Sequence, residues 1–162
     1  MGFLKSLFLK PNNLFSFTHT TFIEVKDKTA GMLLGYDFND SQKDTLKTGI
    51  LMLMKLNFHS IKIIGNLLKA ERTIGKVNKG EFYISNVAVY PEFRGIGLGN
   101  ELMLNAEKIA RSTKNKSMSL DVEIENKGAI KVYKKLGYRI IGDIKILELR
   151  KTFKFYRMIK EL

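Results

Sequence analysis

The chain contains no cysteine, which excludes a disulfide framework, thiolate-ligated zinc and a cysteine nucleophile, and leaves the redox compartment open. Imidazole is almost as scarce. His19 and His59 are the only histidines; they lie far apart with no carboxylate at metal-motif spacing, so no metal is expected and both read as ordinary structural or surface residues. Long apolar runs are missing as well, and nothing reaches the length that spans a bilayer. The opening MGFLKSLFLK is a short apolar run broken by Lys5 and Lys10 without a small-residue cleavage site, which argues against a signal peptide and for a cytoplasmic protein. Acids are in deficit, 16 against 28 Lys and Arg, for a net charge of +12. That balance favours an anionic ligand or partner at long range, whether nucleic acid, phospholipid or a phosphorylated cofactor; a basic solvated surface would give it equally. No reader motif for nucleic acid accompanies the charge, so nucleic acid is not expected as a partner.

What is present fits one domain of 162 residues with a sizeable core, and no repeat, low-complexity segment or linker divides it. Residues 1–15 read as a short amphipathic helix with Phe3, Leu4, Leu7 and Phe8 on one side, stopped before Pro11. Phe15 to Val25 and Ala30 to Tyr36 read as a hairpin turning at Asp27, Lys28 and Thr29. From 41 to 79 the period becomes helical, with Leu46, Ile50, Leu53 and Met54, then Ile61, Ile64, Leu67 and Leu68 recurring. One broken helix or two are expected there, interrupted at 57–60; the Met-rich face is open to being core, lid, dimer seam or membrane-surface helix, core and lid foremost. Gly75 to Gly80 is a polar loop.

Tyr83 to Val89 then mixes aromatic and β-branched residues as a half-buried strand ended by Pro91. After it Gly95, Gly97 and Gly99 alternate with Ile96 and Leu98 where a helix begins. Without Cβ atoms such a loop turns N–H groups toward a ligand, and a helix start adds orphan donors and partial positive charge; the site wants an anion, most simply pyrophosphate. Leu98, Leu102, Ala106, Ile109 and Ala110 mark one face of the helix. Ser117 to Ile124 alternates as a strand, Asn126 caps a helix from Lys127 to Leu136, and Gly137 stands where a helix C-terminus takes glycine. Tyr138 to Ile146 and Thr152 to Ile159 read as two closing strands.

Val87-Ala88-Val89-Tyr90-Pro91 followed by Arg94-Gly95-Ile96-Gly97-Leu98-Gly99 resembles the R-x-x-G-x-G/A signature of the GCN5-related N-acetyltransferases. Downstream, Asn126, Ala129, Tyr133, Gly137 and Tyr138 are spaced like that family's second block. A dinucleotide fingerprint fits less well, because Asn100 stands where its third glycine belongs, and the Lys-Ser/Thr of a P-loop is absent. The resemblance covers roughly residues 81–140. It implies an α+β fold, a mixed and mostly antiparallel sheet splayed into a V and flanked by helices, the acyl-CoA N-acyltransferase fold, here a single domain over 1–162 with a helical insertion at 41–79. It also implies acetyl-CoA as co-substrate, lying in the split between the strand before the glycine loop and the strand at 117–124.

By the same resemblance the main chain of Val87, Ala88 and Val89 pairs with pantetheine, and the amides of Arg94, Gly95, Ile96, Gly97, Leu98, Gly99 and Asn100 hold the pyrophosphate, with Arg94 as loop support more than phosphate ligand. Asn126 touches the cofactor arm, and Tyr133 is the general acid for the departing thiolate. Transfer to a primary amine runs by direct attack through a tetrahedral intermediate. Its oxyanion is expected on a main-chain N–H near Val89, where the family's strand bulges. Glu81, thirteen residues before Arg94, and Asp121, five before Asn126, are the two candidates for general base. The family begins with a strand and one or two helices that are not evident here, which leaves the acceptor, a small-molecule or protein amine, unidentified. A homodimer through the insertion or the last strand is compatible with the sequence. A catalytically inactive acyl-CoA-binding sensor or scaffold of the same fold is the alternative.

Overall fold

The computed structural model describes residues 2–55, 74–148 and 151–162. In chain order the elements are α1 (Phe3–Phe8), β1 (Thr20–Val25), β2 (Lys28–Asp37), α2 (Phe38–Lys55), β3 (Glu81–Val89), α3 (Leu98–Ser112), β4 (Ser117–Glu123), α4 (Lys127–Lys135), β5 (Arg139–Glu148) and β6 (Lys151–Glu161). The strands form one sheet in the order β1-β2-β3-β4-β6-β5. Every pairing is antiparallel except β3 with β4, as the expected fold requires.

The amino-terminal helix is shorter than its sequence pattern, and β1 starts at Thr20 instead of Phe15. Local side-chain bonds win there. Asn13 Nδ2 donates to the carbonyls of Leu7 and Lys10, and Ser16 Oγ accepts from Thr18 N at the start of a 3-10 turn. The hairpin turns at Lys26 and Asp27, both at positive φ (50° and 59°), the two-residue geometry that matches strand twist.

Phe82 and Ile84 of β3, Met118, Leu120 and Val122 of β4 and Met158 of β6 are buried in one core, against Leu98, Leu102, Met103, Ala106 and Ala110 of α3 and Ile130 of α4. By alternation Tyr83, Ser119, Asp121 and Arg157 face the other way, where Leu34, Tyr36, Val77 and Tyr83 form a second, smaller core.

β3 and β4 pair only from Glu81–Ser117 to Ile84–Leu120. Beyond that point Ser85–Val89 stays with β2 and Asp121–Glu123 stays with β6, so the sheet splits. The split starts at a bulge: Leu34 pairs with Asn86 and Gly35 with Ile84, leaving Ser85 over. The bulge was expected near Val89 and lies four residues earlier. Gly35 fixes it there, since a Cβ at that position would meet the Phe82 ring at 2.6 Å and the Tyr83 carbonyl at 3.0 Å.

For α2, one of the readings open to its apolar face, core, is removed. Its periodic apolar residues do not form core: Leu46 and Met54 are 74% and 77% exposed, and Ile50 and Leu53 are exposed too. The buried side chains are polar, namely Ser41, Asp44 and Thr48. Thr48 Oγ1 accepts from Leu14 N at 2.9 Å, and Asp44 Oδ2 lies 2.7 Å from His19 Nε2. The helix is therefore docked by hydrogen bonds to the segment before β1. The expected break at 57–60 and the second apolar series, Ile61 to Leu68, lie outside the described residues.

Candidate active site at the split in the sheet

Gly95 and Gly97 hold φ of 83° and 91°, the left-handed region that favours glycine. Gly97 is the N-cap of α3, and the N–H groups of Asn100 and Glu101 turn back onto its carbonyl. Those of Gly95 to Gly99 find no acceptor among the described residues. A Cβ built on Gly95, Gly97 or Gly99 meets nothing within 4 Å, so a row of free donors at a helix start opens onto clear space. This is the arrangement a pyrophosphate needs, and the residues fit the expected cofactor. Arg94 makes no phosphate-directed contact with the loop; its Nε donates to the Val89 carbonyl at 3.0 Å and ties the cradle to the end of β3.

The inner edge of the split is partly unfilled. Tyr90 N donates to Ala30 O, so alternation turns the N–H and C=O groups of Val87 and Val89 away from β2 toward the missing partner; of these the Val89 carbonyl is taken by Arg94. Ala88 bonds on the β2 side, opposite Met32. An extended thioester arm can take the vacant rungs as an added strand would.

The second block lies on the same face of the sheet as α3. Asn126 Oδ1 accepts from Ala129 N at 3.1 Å as the cap of α4, and Gly137 closes the helix at φ 91°. Tyr133 packs against the main core with its ring 6.0 Å from that of Tyr138. Burial pushes its phenol above the ordinary tyrosine range, and its hydroxyl bonds to no described residue, whereas Tyr138 donates to Met118 Sδ at 3.7 Å. A protonated phenol with a free O–H is suited to giving a proton.

The two base candidates come together on the opposite face, around a residue the sequence reading passed over. Arg157, opposite Asp121 across β6 and β4, donates from Nη1 to Asp121 Oδ2 at 3.0 Å. Its Nη2 bonds to Glu81 Oε2 (3.3 Å), Ser119 Oγ (3.1 Å) and the Lys76 carbonyl. Its guanidinium also lies 5.1 Å from the Tyr83 ring centroid, a cation–π distance. Glu81 Oε1 and Oε2 both accept from Asn78. Asp121 Oδ2 takes the Tyr83 hydroxyl (3.1 Å) and Gly75 N (2.9 Å) as well, while its Oδ1 is buried without a partner among the described residues. Burial, first of all, and the Asp121 charge raise the Tyr83 phenol well above its ordinary range, so it stays a donor. The one signal in the sequence is that Arg157 interrupts the apolar run of β6 at a position that faces the sheet.

A cavity of about 700 Å³ opens on this face, with Tyr36, Phe38, Lys76, Lys79, Tyr83 and Ser85 among its walls. Ser85 is the bulged residue where the strands part, so the cavity and the split meet there.

Comparison with known proteins agrees with this geometry. The sequence profile of the Acetyltransferase (GNAT) family matches residues 5–138. N-alpha-acetyltransferase MAK3 of Arabidopsis thaliana is 30% identical over 83 residues, 51% of this chain and 43% of that protein. The matched stretches span between 24% and 43% of the lengths of the curated relatives. Among solved structures, an N-acetyltransferase from Staphylococcus aureus Mu50 superposes with a TM-score of 0.64 at 25% identity, over 91% of this chain and 73% of that one. A Bacillus subtilis acetyltransferase in complex with CoA shares the fold at a TM-score of 0.57 and 14% identity, over 88% of this chain and 76% of that one.

Proposed function

The chain belongs to the GNAT family of acetyltransferases, whose profile spans most of it, and from that premise we propose that it transfers the acetyl group of acetyl-CoA to a primary amine. The observation that carries this reading is the convergence of free N–H donors at Gly95–Gly99 with the vacant rungs of Val87 and Val89 beside one split. Acetyl-CoA supplies the thioester carbonyl. The amine nitrogen attacks that carbon directly, the C–N bond forms and the carbonyl becomes a tetrahedral oxyanion; the C–S bond then breaks as the carbonyl re-forms, and the thiolate leaves with a proton from Tyr133. The main-chain N–H groups of Val87 and Val89, turned away from β2, are the candidates to face the oxyanion.

Of the two base candidates Asp121 is preferred, because it keeps one carboxylate oxygen unpaired and is the first β4 residue past the last rung shared with β3. It accepts the ammonium proton through water. Glu81 has both oxygens filled and serves to hold the 75–78 segment. Asn126 and Arg94 orient the cofactor arm and the cradle. The unengaged hydroxyl of Tyr133 speaks for turnover and against an inactive sensor.

This reading takes the whole chain as one catalytic domain with α2 inside its helical insertion, working in the cytoplasm. No helix among the described residues is long and apolar enough to cross a membrane. The test is thiol release from acetyl-CoA across amine and peptide panels. Protein amino termini come first, because MAK3 is named an N-alpha-acetyltransferase. Calorimetry that detects no acetyl-CoA binding would sink the proposal; sedimentation at two protein concentrations decides whether the enzyme works as a homodimer.

A further inference from the structure

We infer that the cavity beside Ser85 is the acceptor pocket and that it selects amines whose apolar or aromatic body carries an anionic group, turning away polycations. This rests on the N-acetyltransferase reading above. The volume, about 700 Å³, is that of a pocket for a small molecule or the end of a peptide. Its contact with the bulged Ser85 puts a bound amine at the mouth of the split.

The walls decide the chemistry. Leu14, Phe15, Tyr36, Phe38 and Tyr83 give it an apolar, aromatic lining. The rings of Tyr36 and Tyr83 lie 5.8 Å apart, tilted by 50°, and Tyr83 is fixed by its bond to Asp121. Among the described residues that line it the charged ones are Lys76 and Lys79, and none is a carboxylate. The carboxylates behind the wall, Glu81 and Asp121, share the single guanidinium of Arg157, and the one negative charge left over is buried, with side chains 8% and 2% exposed, and does not line the pocket.

Two consequences follow from a positive, partly apolar pocket. An ammonium placed in it is disfavoured against its neutral form, which raises the fraction of reactive free amine. A second ammonium on the acceptor finds no partner and pays the same cost again, whereas a carboxylate finds two lysines. The wall is also preformed: Gly75 N bonds to Asp121, Asn78 N to Glu81, and the Lys76 carbonyl takes Arg157. Little ordering remains to be done on binding.

The experiment compares three amines of one shape, 4-(2-aminoethyl)benzoate, its primary amide, and 4-(2-aminoethyl)benzylamine, with spermidine beside them. A parallel peptide arm pairs Met-Phe-Glu-Glu with Met-Phe-Lys-Lys and separates a small-molecule source from a protein one. The expected order of kcat/KM is carboxylate above amide above dication, with about tenfold between the first two, as two partly exposed ion pairs allow. Lys76→Ala with Lys79→Ala narrows that ratio toward one. Equal rates, or a preference for the dication or spermidine, overturn the inference while leaving the acetyltransferase reading intact. If no amine turns over, calorimetric titration of the same series into the CoA-saturated protein decides it. Tighter binding of the carboxylate sustains the inference; equal or weaker binding overturns it. Failure of acetyl-CoA itself to bind falls on the reading beneath.

Discussion

Tyr133 and Arg157 stand at opposite extremes of hydrogen bonding: one offers a hydroxyl that no described residue accepts, the other serves two carboxylates, a hydroxyl and a carbonyl. Tyr133→Phe removes a proton donor and nothing the fold uses. It is expected to lower kcat about 10²-fold with little change in thermal midpoint or in the KM for acetyl-CoA, read by steady-state kinetics and calorimetry. Arg157→Met has the reverse signature. It strands Glu81 and Asp121, whose side chains are 8% and 2% exposed, and should cost about 3–5 kcal/mol in denaturant unfolding. The cradle glycines separate in the same way. Gly97→Ala forces a side chain onto φ 91° and should raise the KM for acetyl-CoA along with lost stability. Gly99→Ala, at ordinary φ with open space around its Cβ, should leave KM within about twofold and gain up to about 1 kcal/mol from helix propensity.

At the scale of elements, local signals were readable and non-local ones were not. The Asn126 cap, the Gly137 terminator and most of the buried stripe of α3 each depend on residues within a turn or two of one another and stand where the spacing put them; in the stripe Ile109 is exposed and Met103 is buried instead. The core reading of the α2 face failed for a definable reason. Periodicity locates two faces of a helix but does not say which one the rest of the chain will cover. Here Ser41, Asp44 and Thr48 recur at helical spacing too, and their partners His19 and Leu14 come from a segment some thirty residues earlier, a pairing that no local pattern announces. The Arg157 cluster was invisible on the same ground, joining positions 76, 81, 119, 121 and 157. Since Leu46 and Met54 face outward, Leu46→Gln with Met54→Gln is expected to change unfolding free energy by less than about 0.5 kcal/mol per site. An equivalent change at the buried Leu102 should cost several times more.

For the molecule as a whole, the surplus of base is not evenly spent. Glu107 on α3 bonds to Lys160 of β6 at 2.5 Å and to Arg111 at 2.8 Å, and the bonds from Lys160 and then Arg111 hold its carboxyl below the ordinary glutamate range. A carboxylate whose folded value lies below its unfolded one stabilises the fold above the unfolded value, about 4.3. That stability is lost as pH falls through the folded value, because the unfolded chain then binds the extra proton. Glu107→Gln should therefore lower the thermal midpoint at neutral pH and flatten its fall below about pH 4.5, measured as a melting series from pH 3 to 7. The net charge itself, legible from composition, is compatible with an anionic co-substrate but does not say which groups would hold it.

The sheet is joined across its middle by four rungs, and a split that ends on so short a seam concentrates load at its tip. Arg157 sits at that tip, bracing β3, β4 and β6 together just where the two arms diverge. In the language of fracture it is a crack-stopper. It ties the two arms together where the pairing of β3 with β4 ends, so that the opening does not run back toward Ser117. The gap proposed for the thioester thus has its inner end held by a residue on the face that the cradle does not use.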